Sequence, residues 1–223
     1  VTPELPVRPP VLCAGCPHRA SFYAVKQAMK GRKAVFSGDI GCYTLGNAAP
    51  LDMVDTCLCM GADVTMAQGL HRAEPDTVNF SFIGDSTFFA SGITGIINAV
   101  YNQTDIIVII LDNSTTAMTG HQPHPGTGVR MMEQTEEEAK GTPKEISSKI
   151  SIEKLLQAMD LTSVETIDPL HFSEAVEAVE RAAELPGVKA VIFRSPCIAV
   201  ARPQNPYQIN GNCINCKKCI REL

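Results

Sequence analysis

The stretch VNFSFIGDSTFFASGITGIINAVYNQTDIIVIILDNSTT, Val78 to Thr116, holds two apolar runs, each closed by polar residues, with one helical pattern between them. Val78 to Gly84 reads as a strand, Ala90 to Asn102 as a helix, and the unbroken run Ile106 to Leu111 as a strand covered on both faces. In a parallel sheet a crossover helix must intervene before the next strand can run the same way, and the spacing fits that unit. Asp85 then sits just past the carboxyl end of one strand and Asn113 just past the carboxyl end of its partner. That is the edge where open α/β sheets bind ligands, so the two ends are expected to meet.

Outward from this unit the alternation continues. Towards the N-terminus, His18 to Met29 has helical spacing with Pro17 suited to a first helical position, Lys33 to Asp39 reads as a short strand, and Gly61 to Ala73 as a helix rich in small residues. Towards the C-terminus, Ser151 to Met159 and Asp168 to Leu185 read as helices, the second closed by Pro186 and Gly187; Ser163 to Ile167 and Lys189 to Ser195 read as strands. Between them Thr119 to Lys149 is a long loop rich in Gly, Pro, Thr and charge, with a helical turn expected over residues 133–140 and a solvated face at Glu136 to Glu138. Helices alternating with buried strands predict an α/β fold, a doubly wound and mostly parallel sheet with helices on both faces.

The chain has 223 residues, 44% of them hydrophobic, enough for one large domain or for one domain and a small appendage. Residues 1–10 carry four prolines and read as a linker, residues 11–202 as the α/β domain, and residues 203–223 as the start of a separate unit with little core. The net charge of −5 and the scattered lysines and arginines argue against nucleic acid and against a polybasic membrane patch. The longest strongly apolar run is far below the ~20 residues that a membrane span requires, and no signal peptide opens the chain. A soluble, cytoplasmic protein is expected. Because residue 1 is Val and the last residues stop just after a cysteine series, a piece of a longer polypeptide is expected too.

A carboxylate oxygen from Asp85, an amide oxygen from Asn113 and nearby backbone carbonyls offer the hard oxygen ligands that Mg²⁺ takes. Gly84 is expected to allow a tight turn, and the N–H groups of Ser86 and Thr87 to open a helix whose positive end favours a diphosphate. Capping of that helix is an alternative account of the Asp85 carboxylate.

The run from Gly84 to Thr116 resembles the thiamine diphosphate and Mg²⁺ motif of thiamine enzymes, Gly-Asp-Gly followed some thirty residues later by Asn. The resemblance implies that the Asp85 and Asn113 side chains and the Thr115 carbonyl bind the metal, with Gly84, Ser86 and Thr87 beside the cofactor. The sequence departs from the motif at Ser86, where the family usually has glycine; the exchange requires a negative φ.

Nine cysteines are many for an intracellular chain, and an odd number fits a disulfide framework poorly. Cys13 and Cys16 form CAGC, Cys42 lies in GDIGCYTLG and Cys197 in RSPCIAV. By spacing alone zinc, a redox pair or an iron–sulfur cluster all remain open. Cys57 and Cys59 read as buried structural thiols. The contexts resemble the thiamine-dependent 2-oxoacid:ferredoxin oxidoreductases, in particular the alpha subunits of the indolepyruvate branch, in which a [4Fe-4S] cluster is held by a C-x-x-C near the domain start, a Gly-Cys after the first strand and a Pro-Cys after the last. Carried over, the cluster ligands are Cys13, Cys16, Cys42 and Cys197. Cys213, Cys216 and Cys219 follow the C-x2-C-x2-C series of bacterial ferredoxins, a partial cluster motif at the start of a ferredoxin-like unit.

The resemblance implies oxidative decarboxylation of a 2-oxoacid, an arylpyruvate such as indolepyruvate, with the acyl unit passing to coenzyme A and the electrons to ferredoxin. It also implies a pyrimidine-binding domain that supplies an activating glutamate, a beta subunit, and little turnover by these 223 residues alone. His18 and His121 are the catalytic candidates, with Arg19, Gln122 and His124 nearby; helix-start and loop-surface roles are the alternatives. His71 and His171 have no functional context. Two other readings stay open: a non-oxidative thiamine-dependent decarboxylase, which has no need of cluster cysteines, and a non-catalytic metal–thiolate or electron-transfer module.

Overall fold

A computed structural model describes residues 7–129, 148–201 and 208–221. Its centre is a six-stranded sheet in which every pairing is parallel. The strands are β1 (Ala34–Gly38), β2 (Thr56–Cys57), β3 (Val78–Gly84), β4 (Ile106–Asp112), β5 (Ser163–Ile167) and β6 (Val188–Arg194), in the spatial order β2-β1-β3-β4-β6-β5. The helices are α1 (Pro17–Ala28), α2 (Ala62–Ala73), α3 (Asp85–Thr87), α4 (Ile93–Tyr101), α5 (Ile152–Ala158), α6 (Phe172–Glu184) and α7 (Lys218–Arg221).

The continuous apolar runs of β4 and β6 are explained by cover on both faces. Ile107, Ile109 and Leu111 turn to one side, where they join Phe80, Phe82, Val191 and Phe193 beneath α1 and α6. Ile106, Val108 and Ile110 turn to the other, with Ile83, Ala190 and Ile192 beneath α2, α4 and α5. Each fully buried Ile or Phe side chain contributes about 1.5–3 kcal/mol, so the alternation sustains two cores at once. Tyr23 of α1 stacks on Phe172 of α6 with centroids 5.3 Å apart, closing the first layer.

The expected elements are present with adjusted ends. The helix placed over Asp168 to Leu185 starts only at Phe172, because Asp168 Oδ1 accepts the Leu170 N–H (3.0 Å) and holds the preceding residues in a turn. Helical backbone after β3 begins at Asp85, earlier than expected, and passes through a π-type turn at Phe88–Gly92 into α4. The two-residue β2 and a 3₁₀ helix at Cys42–Asn47 carry too little pattern to be read from sequence. The turn expected over residues 133–140, the face at Glu136 to Glu138 and part of the linker lie outside the described residues. The described tail, 208–221, is exposed throughout. Among the described residues no helix is long and apolar enough to cross a membrane.

Candidate functional site

Parallel register sets Gly84 beside Leu111, so Asp85 and the Asp112–Asn113 end emerge side by side. Asp85 is fully buried. Its Oδ1 accepts the Ser86 N–H (2.8 Å), and its Oδ2 accepts the N–H groups of Asn113 (3.2 Å) and Ser114 (2.8 Å). The helix cap is Gly84 rather than Asp85, so capping does not account for this carboxylate: it spans two strand ends. His124 Nε2 lies 3.1 Å from Oδ2, while His124 Nδ1 accepts the Gly126 N–H (3.2 Å). The accepting Nδ1 leaves the ring proton on Nε2, which therefore donates to Asp85. Phe89 stacks on the imidazole at 5.7 Å. Burial pushes the Asp85 carboxyl up, and the His124 bond opposes the rise.

Gly84 has an ordinary extended backbone, φ −78° and ψ 156°, so a tight turn is not what requires glycine here. The buried ring of Tyr43 lies against its Cα, and a Cβ would stand 1.9 Å from the Tyr43 Oη. Ser86, the departure from the family motif, lies in α3 and is not among the residues with positive φ, so it sits there without strain. Ser114, by contrast, has φ 62°.

Asn113 is buried as well. Its Oδ1 accepts the Thr115 N–H (3.2 Å), and its Nδ2 lies 3.1 Å from His18 Nε2. An amide nitrogen only donates, so His18 Nε2 accepts and the ring is neutral with its proton on Nδ1. Burial agrees, lowering His18 to about 4. The Asn113 carbonyl accepts the Cys197 N–H at 3.0 Å.

Cys13 and Cys16 close a turn ahead of α1, through Cys16 N–H to the Cys13 carbonyl at 3.1 Å. Arg19 braces that turn, its Nε donating to the Cys13 carbonyl (3.0 Å) and its guanidinium also reaching the Leu12 carbonyl. Burial pushes the Cys16 thiol up to about 11, and charge on Cys42, Cys13 and Cys197 adds to the rise. Cys42 is raised by burial and then by Cys197 and Cys13. Among the described residues, which include Cys13, Cys16, Cys42 and Cys197, no three His, Cys, Asp or Glu side chains form a group that could hold a metal ion, so the structure does not draw these four thiols into a ligand set. Cys57 and Cys59 are exposed rather than buried, because β2 is an edge strand and the loop after it faces solvent. Cys213, Cys216 and Cys219 are exposed on the tail, Cys219 within α7.

Beside Asn113 lies a cavity of about 190 Å³, lined by Ile40, Cys42, Ser86, Thr87, Asn113 and Met118 among others. His121 overlooks this region from a small hairpin, exposed and with φ 64°, its Nδ1 3.5 Å from the Thr115 hydroxyl. Gln122 ties that hairpin to Thr119 through Nε2 to the Thr119 carbonyl, 2.6 Å. Two residues not singled out from sequence matter here: Tyr43, packed on Gly84, and Asp39, fully buried after β1. Asp39 had a signal, since GDIG after β1 repeats the Gly-Asp of GDST after β3. Burial raises the Asp39 carboxyl, and donors from Thr87, Gly61, Gly84 and Ile40 oppose the rise.

Residues 39–193 match the family described as thiamine pyrophosphate enzyme, C-terminal TPP binding domain. The chain belongs to the thiamine pyrophosphate enzymes. Among relatives of this thiamine pyrophosphate domain, indolepyruvate oxidoreductase subunit IorA of Archaeoglobus fulgidus is 41% identical over 97% of the chain and 34% of the relative. The subunit of the same name from Methanothermobacter thermautotrophicus (strain Delta H) is 42% identical over 99% of the chain and 35% of the relative. The chain thus spans about a third of the length of the curated relatives it matches. The solved 2-oxoglutarate:ferredoxin oxidoreductase from Magnetococcus marinus superposes with a TM-score of 0.66 at 20% identity, covering 85% of this chain and 65% of that one, which shows a shared fold.

Proposed function

We propose that the chain holds the diphosphate end of thiamine diphosphate within a larger 2-oxoacid oxidoreductase. The observation that carries this reading is the Asp85–Asn113 clamp, formed where two parallel strands end and tied through Asn113 to two cysteine-bearing segments. Mg²⁺ would be held by the Asp85 and Asn113 side chains and the Thr115 carbonyl. The donor set fits a hard cation: among the described residues Asp85 Oδ1 and Asn113 Oδ1 each receive a single N–H, which leaves each a lone pair for a metal. Cys13, Cys16, Cys42 and Cys197 would hold a [4Fe-4S] cluster, for which the four thiols would draw together from their three segments.

When bound, thiamine diphosphate supplies the reactive carbon and electron sink for decarboxylation of a 2-oxoacid. The residues of this chain bind and orient. His124 keeps its proton on Nε2 and so holds Asp85 Oδ2, leaving Oδ1 for the cation. His18 accepts from the Asn113 amide and keeps Oδ1 turned away from itself. Ile40 and Met118 supply part of the apolar lining of the cavity. The finer reading takes an arylpyruvate such as indolepyruvate as substrate, in line with the names of the relatives, and with it proposes coenzyme A as acyl acceptor and ferredoxin as electron acceptor. A pyrimidine-binding domain with an activating glutamate and a beta subunit would complete the enzyme.

The test uses the full-length enzyme prepared without oxygen. Calorimetry is expected to give Mg²⁺-dependent thiamine diphosphate binding, and metal analysis with low-temperature spin resonance of the reduced protein to give iron and a cluster signal. No Mg²⁺-dependent binding would overturn the cofactor assignment. Zinc, or no metal, would remove the cluster, and 2-oxoacid decarboxylation that releases an aldehyde without ferredoxin reduction would replace the oxidative reading.

A further inference from the structure

Four segments border the 190 Å³ cavity: Ile40 to Tyr43 after β1, Met60 ahead of α2, Ser86 to Thr87 after β3, and Asn113 with Thr116 to Thr119 after β4. One buried carboxylate ties the first three together. Asp39 Oδ1 accepts the N–H groups of Ile40 (2.8 Å) and Gly61 (3.2 Å), and its Oδ2 accepts the Gly84 N–H (3.3 Å). Thr44 secures the first segment from the other end, its hydroxyl donating to the Asp39 carbonyl (2.8 Å) and accepting the Gly41 N–H (3.2 Å). Gly61 has no freedom to drift: its φ is 81°, and a Cβ would stand 2.3 Å from the Ser91 Oγ, which itself bonds to the Met60 carbonyl at 3.3 Å.

We infer that Asp39 is a positioning residue for cofactor binding, holding the Gly84–Thr87 turn and the Ile40 and Gly61 segments in the one arrangement that shapes the cavity. This rests on the proposed thiamine diphosphate site. The group must be a carboxylate because every partner is a donor. An asparagine in either orientation would turn its NH₂ toward N–H groups and lose at least one bond. Asp39 does not face the cavity itself, so its effect passes through the backbone it fixes.

The experiment compares Asp39→Asn and Thr44→Val with the wild type in the full-length enzyme. It measures the Kd of thiamine diphosphate at saturating Mg²⁺ together with Tm. Asp39→Asn is expected to raise Kd about 10- to 100-fold, as residues that orient metal ligands do. Thr44→Val, which removes the brace on the Asp39 carbonyl and the Gly41 N–H, should raise it in the same direction by less. An unaltered Kd in folded Asp39→Asn would overturn the inference while leaving the cofactor site intact. So would a lower Tm at constant Kd. If Asp39→Asn does not fold, Thr44→Val decides, an unaltered Kd overturning the inference. Absence of binding by the wild-type enzyme would overturn both readings.

Discussion

The amide nitrogen of Asn113 lies 3.1 Å from Nε2 of His18, two buried side chains brought together from the end of β4 and the first turn of α1. His18 follows Cys16 by two residues, and the Asn113 carbonyl receives the N–H of Cys197. One asparagine is therefore gripped from both sides by segments that carry thiols, while its own N–H is bonded to Asp85. The carboxylate clamp is thus joined by hydrogen bonds to the Cys16 and Cys197 segments.

Removal of the clamp carboxylate should be the most damaging single change for cofactor binding. Asp85→Ala leaves the N–H groups of Asn113 and Ser114 and the His124 Nε2–H without their acceptor and deletes the charged oxygen proposed to hold the cation. The expected result is at least a ~100-fold loss of Mg²⁺-dependent thiamine diphosphate affinity, about 2.7 kcal/mol, read by calorimetry on the full-length enzyme. An affinity within a few-fold of wild type would show that the metal is held elsewhere.

At Gly84 the expectation concerns packing. A methyl group there would run into the Tyr43 ring, whose Oη and Cζ stand 1.9 and 2.0 Å from the Cβ position. Gly84→Ala should cost roughly 1–3 kcal/mol through overpacking and weaken cofactor binding as the ring is displaced. Shortening the obstruction in Gly84→Ala/Tyr43→Ala should restore part of the affinity although Tyr43→Ala alone opens a void. Thermal melts and binding titrations on the three variants check this, and full retention of both properties by Gly84→Ala would contradict the contact.

Asp63 provides a pH test away from the clamp. It is fully buried at the start of α2, its Oδ2 accepts the Ser81 hydroxyl at 2.5 Å, and its Oδ1 has no hydrogen-bond partner among the described residues. Burial pushes its carboxyl up to about 8, and the charge of nearby Asp39 adds to the rise. The folded state therefore holds a proton that the unfolded chain releases near pH 4, so this contribution to stability is complete below pH 4 and lost as pH rises towards 8. Asp63→Asn, which cannot ionise, should show a shallower fall in Tm between pH 5 and 8 than the wild type. Parallel Tm profiles would mean that Asp63 is ionised in the folded protein throughout.

The sheet was legible because its signals are periodic and redundant. Ile106 to Leu111 could only be a strand covered on both sides, and once Val78 to Gly84 was parallel to it, Asp85 and Asn113 had to leave the same edge. The partners of single polar residues carry no period. Nothing local in SGDIG says that Asp39 will meet Gly61 and Gly84, and nothing in GDIGCYTLG says that Tyr43 will lie on Gly84. Cys57 and Cys59 misled for a related reason: cysteine composition suggests burial, but their exposure follows from β2 lying at the sheet edge.

His18 separates an orienting role from a catalytic one. In His18→Ala the Asn113 Nδ2 keeps no acceptor from the ring, and a buried unsatisfied donor costs about 1–3 kcal/mol. The cheapest relief is rotation of the amide, which would exchange Oδ1 for NH₂ at the position offered to the cation. Mg²⁺-dependent thiamine diphosphate affinity should therefore fall by roughly 10-fold or more, in line with the loss of groups that orient metal ligands. Because the ring is neutral with Nε2 already accepting from Asn113, the variant should leave the pH dependence of kcat at saturating cofactor without a missing limb. Cofactor titration and the pH profile of the full-length variant read the two effects separately. A large fall in kcat at unchanged cofactor affinity would assign His18 to proton transfer at the substrate instead.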